Sequence, residues 1–130
     1  LRERGALAIN VGRTPTDRRL VEALTATLLT VFPSVHVMDV PDTFNTILVA
    51  TVQPSTSENL AANLEILPGG AQSLLRGALQ RGLASLRPTR AAGPVFSDDR
   101  APVEQITNSI LLRFLLEGSD TRFPDSGLGS

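Results

Sequence analysis

The chain has 130 residues, enough for one domain with a modest core. Its twelve basic residues, all arginine, are offset by thirteen acids to a formal charge of -1, and they are scattered among only five aromatics, all Phe. A nucleic-acid partner, which needs a basic stripe and stacking rings, is therefore excluded. The absence of cysteine excludes disulfides and thiolate chemistry, and no apolar run approaches the roughly 20 residues of a membrane span, so a soluble, cytoplasmic segment without membrane contact is expected.

The run Gly5 to Gly12, GALAINVG, is short, almost wholly apolar and closed by glycine, which predicts a strand buried on both faces. Thr14-Pro15-Thr16-Asp17 then reads as a helix start, with Thr14 as cap, Pro15 in the first helical position and Asp17 completing a capping box. Leu20, Val21, Leu24, Leu28, Val31 and Phe32 lie on one helical stripe that Pro33 ends.

Val35 to Val40 is rich in β-branched residues and predicts a second strand, followed by turn chemistry at Pro41-Asp42-Thr43. Residues 45–53 form a third strand whose apolar centre, Ile47 to Val52, favours an interior position. The connection between these two strands is too short for a parallel crossover, so they should pair as an antiparallel hairpin. A helix capped by Ser55 with Glu58 three residues on carries Leu60 and Leu64 on one face, and Pro68-Gly69-Gly70 breaks it. Leu74, Leu75, Ala78, Leu79 and Leu83 mark a third helix that ends before Pro88, and residues 89–94 read as loop. A last helix starts between Asp99 and Pro102, with Val103, Ile106, Ile110 and Phe114 on one stripe widened by Leu111 and Leu115. Residues 1–122 thus form one α/β unit, and 123–130, rich in Gly and Ser and without periodicity, a disordered tail. Leu1 is not an initiator methionine, and the strand that follows so soon reads as cut from something longer.

Three segments, GALAINVGR at Gly5 to Arg13, HVMDVPDTFNTILVAT at His36 to Thr51 and VFSDDRAPVEQ at Val95 to Gln105, resemble the carboxyl-terminal part of spermidine synthase-like proteins, of the spermine/spermidine synthase family. Ser97 stands where that family commonly has threonine. The resemblance runs from Gly5 to Glu117 and implies the tail of a Rossmann-like, class I methyltransferase-type fold. It implies a small mixed three-stranded sheet in the order first, third, second, with about four helices and one open flank on the first strand. It further implies a parent that is an aminopropyltransferase using decarboxylated S-adenosylmethionine and a polyamine substrate, or a methyltransferase using S-adenosylmethionine. The glycine-rich turn and acids that hold the cofactor and deprotonate the amine would lie in a missing amino-terminal half. No catalytic, cofactor-binding or metal residue is assigned here, and no cofactor is expected to bind this fragment. Some relatives carry membrane-spanning helices, so the parent could be membrane-anchored. An unpaired first strand predicts homo-oligomers. The alternative is a non-catalytic interaction or dimerisation module.

Asp98, Asp99 and Glu104 resemble a cation site, but Asp99 suits a helix cap and Glu104 a first helical turn, where negative charge is favoured. Asn10 and Arg13 fall at the carboxyl end of the first strand, where open α/β sheets place ligands, although solvation before the helix explains Arg13 and hydrogen bonding to a loop explains Asn10. His36, the only histidine, has no G-x-S-x-G elbow to serve and is read as structural. Lysine and tyrosine are absent, which removes Schiff-base and phenol chemistry.

Overall fold

The structure is a computed structural model that describes residues 2–70, 73–97 and 103–116. In chain order it runs β1 (Ala6–Gly12), α1 (Arg19–Leu29), β2 (Ser34–Asp39), β3 (Asn45–Thr51), α2 (Ser57–Glu65), α3 (Ser73–Ala84), β4 (Leu86–Arg87) and α4 (Val103–Leu116). The fold is α/β, with one sheet in the order β1-β3-β2-β4. The expected order of the first three strands and the antiparallel hairpin are both present: Ile47 sits opposite Asn10 on one side of β3 and opposite Met38 on the other.

Two expectations about the sheet are corrected. It has four strands rather than three, and every pair is antiparallel rather than mixed. The fourth strand arises because Ser85, the residue that follows α3, has a carbonyl that accepts the Asp39 N–H at 3.1 Å and so lays Leu86 and Arg87 beside Met38 and Val37. Two residues before a proline are too few to announce a strand by periodicity.

The sheet has one dry face. Leu7, Ile9 and Val11 of β1, Thr46, Leu48 and Ala50 of β3, and Val35, Val37 and Asp39 of β2 share it, as the registers require. Leu20, Val21 and Leu28 of α1 and Ile110 of α4 complete its core, with Phe32, Phe96, Val103 and Ile106 at its margin. On the other side Ala6, Ala8, Asn10 and Gly12 are exposed, so β1 is covered on one face only, not two. No residue of α2 or α3 is buried. The widened stripe on α4 also fails: Leu111 and Leu115 are exposed, and the helix packs through Ile110, Val103 and Ile106.

Both capping expectations shift. Thr14 Oγ1 accepts the Asp17 N–H at 3.0 Å and the Thr14 N–H donates to the Asp17 carbonyl, closing a turn around Pro15. The first helix therefore waits until Arg19, whose N–H donates to Asp17 Oδ1 at 3.2 Å, and Arg18 occupies the cap position without a side-chain cap. At α2 the box is built one residue later than expected, from Thr56 and Asn59, with Asn59 Oδ1 accepting the Thr56 N–H at 2.8 Å. After β4 the chain crosses α1: the Ala92 N–H reaches the Glu22 carbonyl, and the Phe96 N–H donates to Thr27 Oγ1 at 2.8 Å. Gly93, at φ +82, lets this strap turn where it passes Ala23. The tail, the expected start of the last helix at 99–102 and the cap position Asp99 lie outside the described residues.

Candidate functional site: an arginine-lined cleft

The carboxyl ends of β1 and β2 and the start of β3 meet at one edge of the sheet, and the most organised polar cluster of the described residues lies there. Asp39 is its centre. The alternation that turns Val35 and Val37 into the core turns Asp39 inward too, leaving it 9% exposed. A carboxylate so placed requires partners. Arg18 supplies a two-pronged pair, Nη1 to Oδ2 and Nη2 to Oδ1, each at 2.9 Å. Thr46 Oγ1, facing Asp39 across the hairpin, donates to Oδ1 at 2.7 Å. Arg13 Nε lies 3.2 Å from Oδ1 and donates to Thr46 Oγ1 at 3.0 Å, while Arg87 Nε approaches Oδ2 at 3.3 Å. Burial pushes the Asp39 carboxyl up, but the Arg18 and Thr46 hydrogen bonds and the Arg18 and Arg13 charges outweigh it and hold the pKa below the ordinary value. Asp39 is thus a fixed anion on which three guanidiniums converge.

Local folding explains each placement. The Arg13 N–H donates to the Phe44 carbonyl at 2.8 Å, which continues β1 past its last ladder residue. Arg18 caps α1, and Arg87 reaches the same face as Val37 through the β4 register. Together with Arg90 on the strap they line an open cleft of ≈ 630 Å³, whose apolar walls include Val21, Val37, Val40 and Leu86 and whose lining also holds Glu22 and Asp42. Asp42, in the hairpin turn, has φ 56, a left-handed conformation that Asp tolerates better than most residues.

Beside the cleft a second network is structural. Asp17, 3% exposed, accepts Arg19 Nη2 at 2.7 Å and Nε at 2.9 Å, and Arg19 Nη2 also donates to Ser109 Oγ at 2.9 Å. These bonds tie the start of α1 to α4, and the hydrogen bonds from Arg19, opposed by burial, hold the Asp17 pKa below its ordinary value. Phe44 meets Phe114 edge to face, with ring centroids 5.2 Å apart, and fixes α4 over the same end of the sheet.

The residues singled out in the sequence separate here. Arg13 enters the cleft, whereas Asn10 lies on the exposed face of β1. Glu104 is exposed in the first turn of α4, and Asp98 and Asp99 lie outside the described residues, among which no cluster of metal-ligating side chains occurs. His36 Nε2 is 2.7 Å from Ser55 Oγ, which in turn is 2.8 Å from Thr51 Oγ1, and Thr51 donates to the Gln53 carbonyl. No described acid orients the imidazole through Nδ1, so the chain of hydroxyls anchors the turn after β3. Asp39, Arg18, Thr46, Arg87 and Arg90 were missed. One signal was present: Asp39 has the same strand parity as Val35 and Val37, which puts a charge on the core side. Searched against protein-family models, curated proteins and solved structures, the chain finds no match.

Proposed function

We propose that this chain is the carboxyl-terminal scaffold of a spermidine synthase-like transferase, with a Rossmann-like parent that moves an aminopropyl group from decarboxylated S-adenosylmethionine to an amine, in the cytoplasm or at a membrane. The observation that carries this reading is the sheet order: β3 lies between β1 and β2, antiparallel to both, with α1 connecting β1 to β2 on the dry face. That is the arrangement implied by the likeness of GALAINVGR and HVMDVPDTFNTILVAT to the family. The cofactor and the amine are assigned to the preceding half of the domain. A cleft ringed by guanidiniums repels a polyamine, which agrees with placing the amine elsewhere. A methyltransferase parent using S-adenosylmethionine fits the same scaffold.

Calorimetric titration of the chain with decarboxylated S-adenosylmethionine tests the assignment. Heat of dilution alone is expected, and one-to-one binding would place a cofactor site within these residues and sink the reading. The upstream reading frame should encode a G-x-G-x-G-like turn followed by an acidic strand end.

A second reading, a non-catalytic dimerisation module, is favoured by the sheet edge. Among the described strands β1 pairs only with β3, and its face bearing Ala6, Ala8 and Asn10 is exposed. Sedimentation across a concentration series should reveal homo-oligomers that Ala8→Pro dissolves, since proline removes an edge donor. A monomer at every concentration would exclude this reading.

A further inference from the structure

We propose that the cleft at the carboxyl ends of β1 and β2 binds a small organic molecule bearing one oxyanion group, a carboxylate or a phosphate monoester, gripped by Arg13, Arg87 and Arg90. This goes beyond the transferase-scaffold reading and does not depend on it.

The argument rests on donors left over after the internal ion pairs are made. Arg13 has a side chain only 11% exposed, yet among the described residues its side-chain hydrogen bonding is confined to Nε, and Nη1 and Nη2 donate to no other residue. A guanidinium carries five N–H donors, and since no buried side-chain nitrogen among the described residues lacks a partner, Nη1 and Nη2 are open to solvent and to a ligand. These two nitrogens belong to a residue that lines the cleft. Arg87 reaches Asp39 only by Nε, at 3.3 Å without a well-aligned hydrogen bond, and its side chain is 63% exposed. Arg90 makes no hydrogen bond or ion pair among the described residues. Three arginines thus present unfilled planar forks around one opening, the geometry that receives carboxylate or phosphate oxygens two at a time.

Asp39 gives the site its order. A buried carboxylate held by Arg18 and Thr46 anchors Arg13 before any ligand arrives, so that side chain has little freedom left to lose on binding. Its own charge is neutralised by those contacts. The lining as a whole has four arginines against Glu22, Asp39 and Asp42, one guanidinium more than carboxylates. That surplus suits a single oxyanion group and disfavours a polyanion. The volume of ≈ 630 Å³ is in the range of small-molecule sites, and walls of valine, leucine and proline call for an apolar body behind the anionic head.

The test is calorimetry of the whole chain at low ionic strength with phenyl phosphate, benzoate, inorganic phosphate and, as a cationic control, benzylammonium. One-to-one saturation by phenyl phosphate or benzoate is expected, the tighter of the two identifying the head group, with inorganic phosphate weaker for lack of a body. Arg90→Ala and Arg87→Ala should each weaken binding about tenfold or more, the effect of losing a charge-assisted hydrogen bond. Arg4→Ala, ahead of β1 at the opposite end of that strand, should leave it unchanged. Because Arg90 has no partner among the described residues, its variant should melt like the parent, which separates loss of binding from loss of fold. No saturation by either organic anion, affinity indifferent to both cleft variants, or equal binding of benzylammonium would each overturn the proposal. A null result here leaves the transferase-scaffold reading standing, and uptake of decarboxylated S-adenosylmethionine would overturn that reading alone.

Discussion

The two faces of the one sheet are built to different standards. On the dry face Leu48, Ala50, Val35 and Val37 are buried beneath α1 and α4, and its one charged end is locked by Arg18 and Thr46. On the opposite face Ala6, Ala8 and Asn10 are open, and neither α2 nor α3 buries a residue, although Gly82 of α3 passes near Met38. The open face is the more polar, carrying Asn10, Ser34, His36, Asn45 and Thr51 among Ala6, Ala8, Met38, Ile47 and Val49, so composition is part of the difference. The other part is whether a helix stripe matches the strand parity: α1 presents Leu20, Val21, Leu24 and Leu28 along one side, whereas Leu74 of α3 and Ile66, just after α2, face solvent. Stability should therefore be concentrated on one face, and substitutions can measure how unequally.

The largest effect is expected at Leu48, fully buried at the centre of the dry face. Leu48→Ala should cost about 3–4 kcal/mol, since truncating a buried leucine loses its transfer free energy and leaves a cavity. Chemical denaturation followed by circular dichroism reads this directly. A loss below about 1 kcal/mol would mean that the dry face is not the principal core.

Next is the charged end of that face. Asp39→Asn removes the anion on which Arg13, Arg18 and Arg87 converge, and should cost about 3 kcal/mol, at the lower end for a broken buried pair because Arg18 and Arg87 reach solvent. The same contrast is open to acid. Asp39 and Asp17 both have folded pKa values lowered from the ordinary one, so their contribution is complete above the unfolded aspartate pKa of about 3.9. It shrinks as pH falls below that value, because the unfolded chain takes up the protons first, and is gone below the folded pKa values. The midpoint of urea unfolding should thus be insensitive to these two groups from neutrality to about pH 5 and fall below pH 4. In Asp39→Asn that acid dependence should be shallower, with only the Asp17 part remaining, and an unchanged slope would remove Asp39 from the account.

How much of this was legible in the sequence follows the same division. Local signals placed most elements: the glycine-closed apolar run of β1, the stripe of α1, the hairpin forced by Pro41-Asp42-Thr43, and the break at Pro68-Gly69-Gly70. Long-range geometry was not legible. Arg13 reaches Asp39 from the end of β1 and Arg18 from the start of α1, and Arg87 joins them because β4 docks against β2, where the Ser85 carbonyl accepts the Asp39 N–H. The caps lie away from the expected residues, by four at α1 and by one at α2, for a related reason. Thr14 and Ser55 are sound cap residues, but Thr14 was engaged in a turn with Asp17, and Ser55 was drawn to His36 and Thr51. A cap read from sequence competes with tertiary partners that sequence does not reveal. Conversely, Leu111 and Leu115 extend the α4 stripe by period, yet the neighbouring elements cover only its Ile110 side.

The smallest effects should come from the open face, and they decide whether it folds with the rest. Thr56→Ala removes one half of the capping box at α2 and should cost about 1 kcal/mol, while Leu74→Ala, at a side chain 73% exposed on α3, should stay within about 0.5 kcal/mol. Hydrogen exchange makes the comparison sharper than melting does. If α2 and α3 form a separately opening unit, Thr56→Ala should speed amide exchange in 57–65 while β3 and α1 keep their protection. If instead its effect spreads equally to β3, the His36–Ser55–Thr51 bonds that join the start of α2 to the sheet transmit stability across it. In that event the two faces would unfold as one, and the leucines exposed on α3 would owe their order to β2 rather than to their own helix pair.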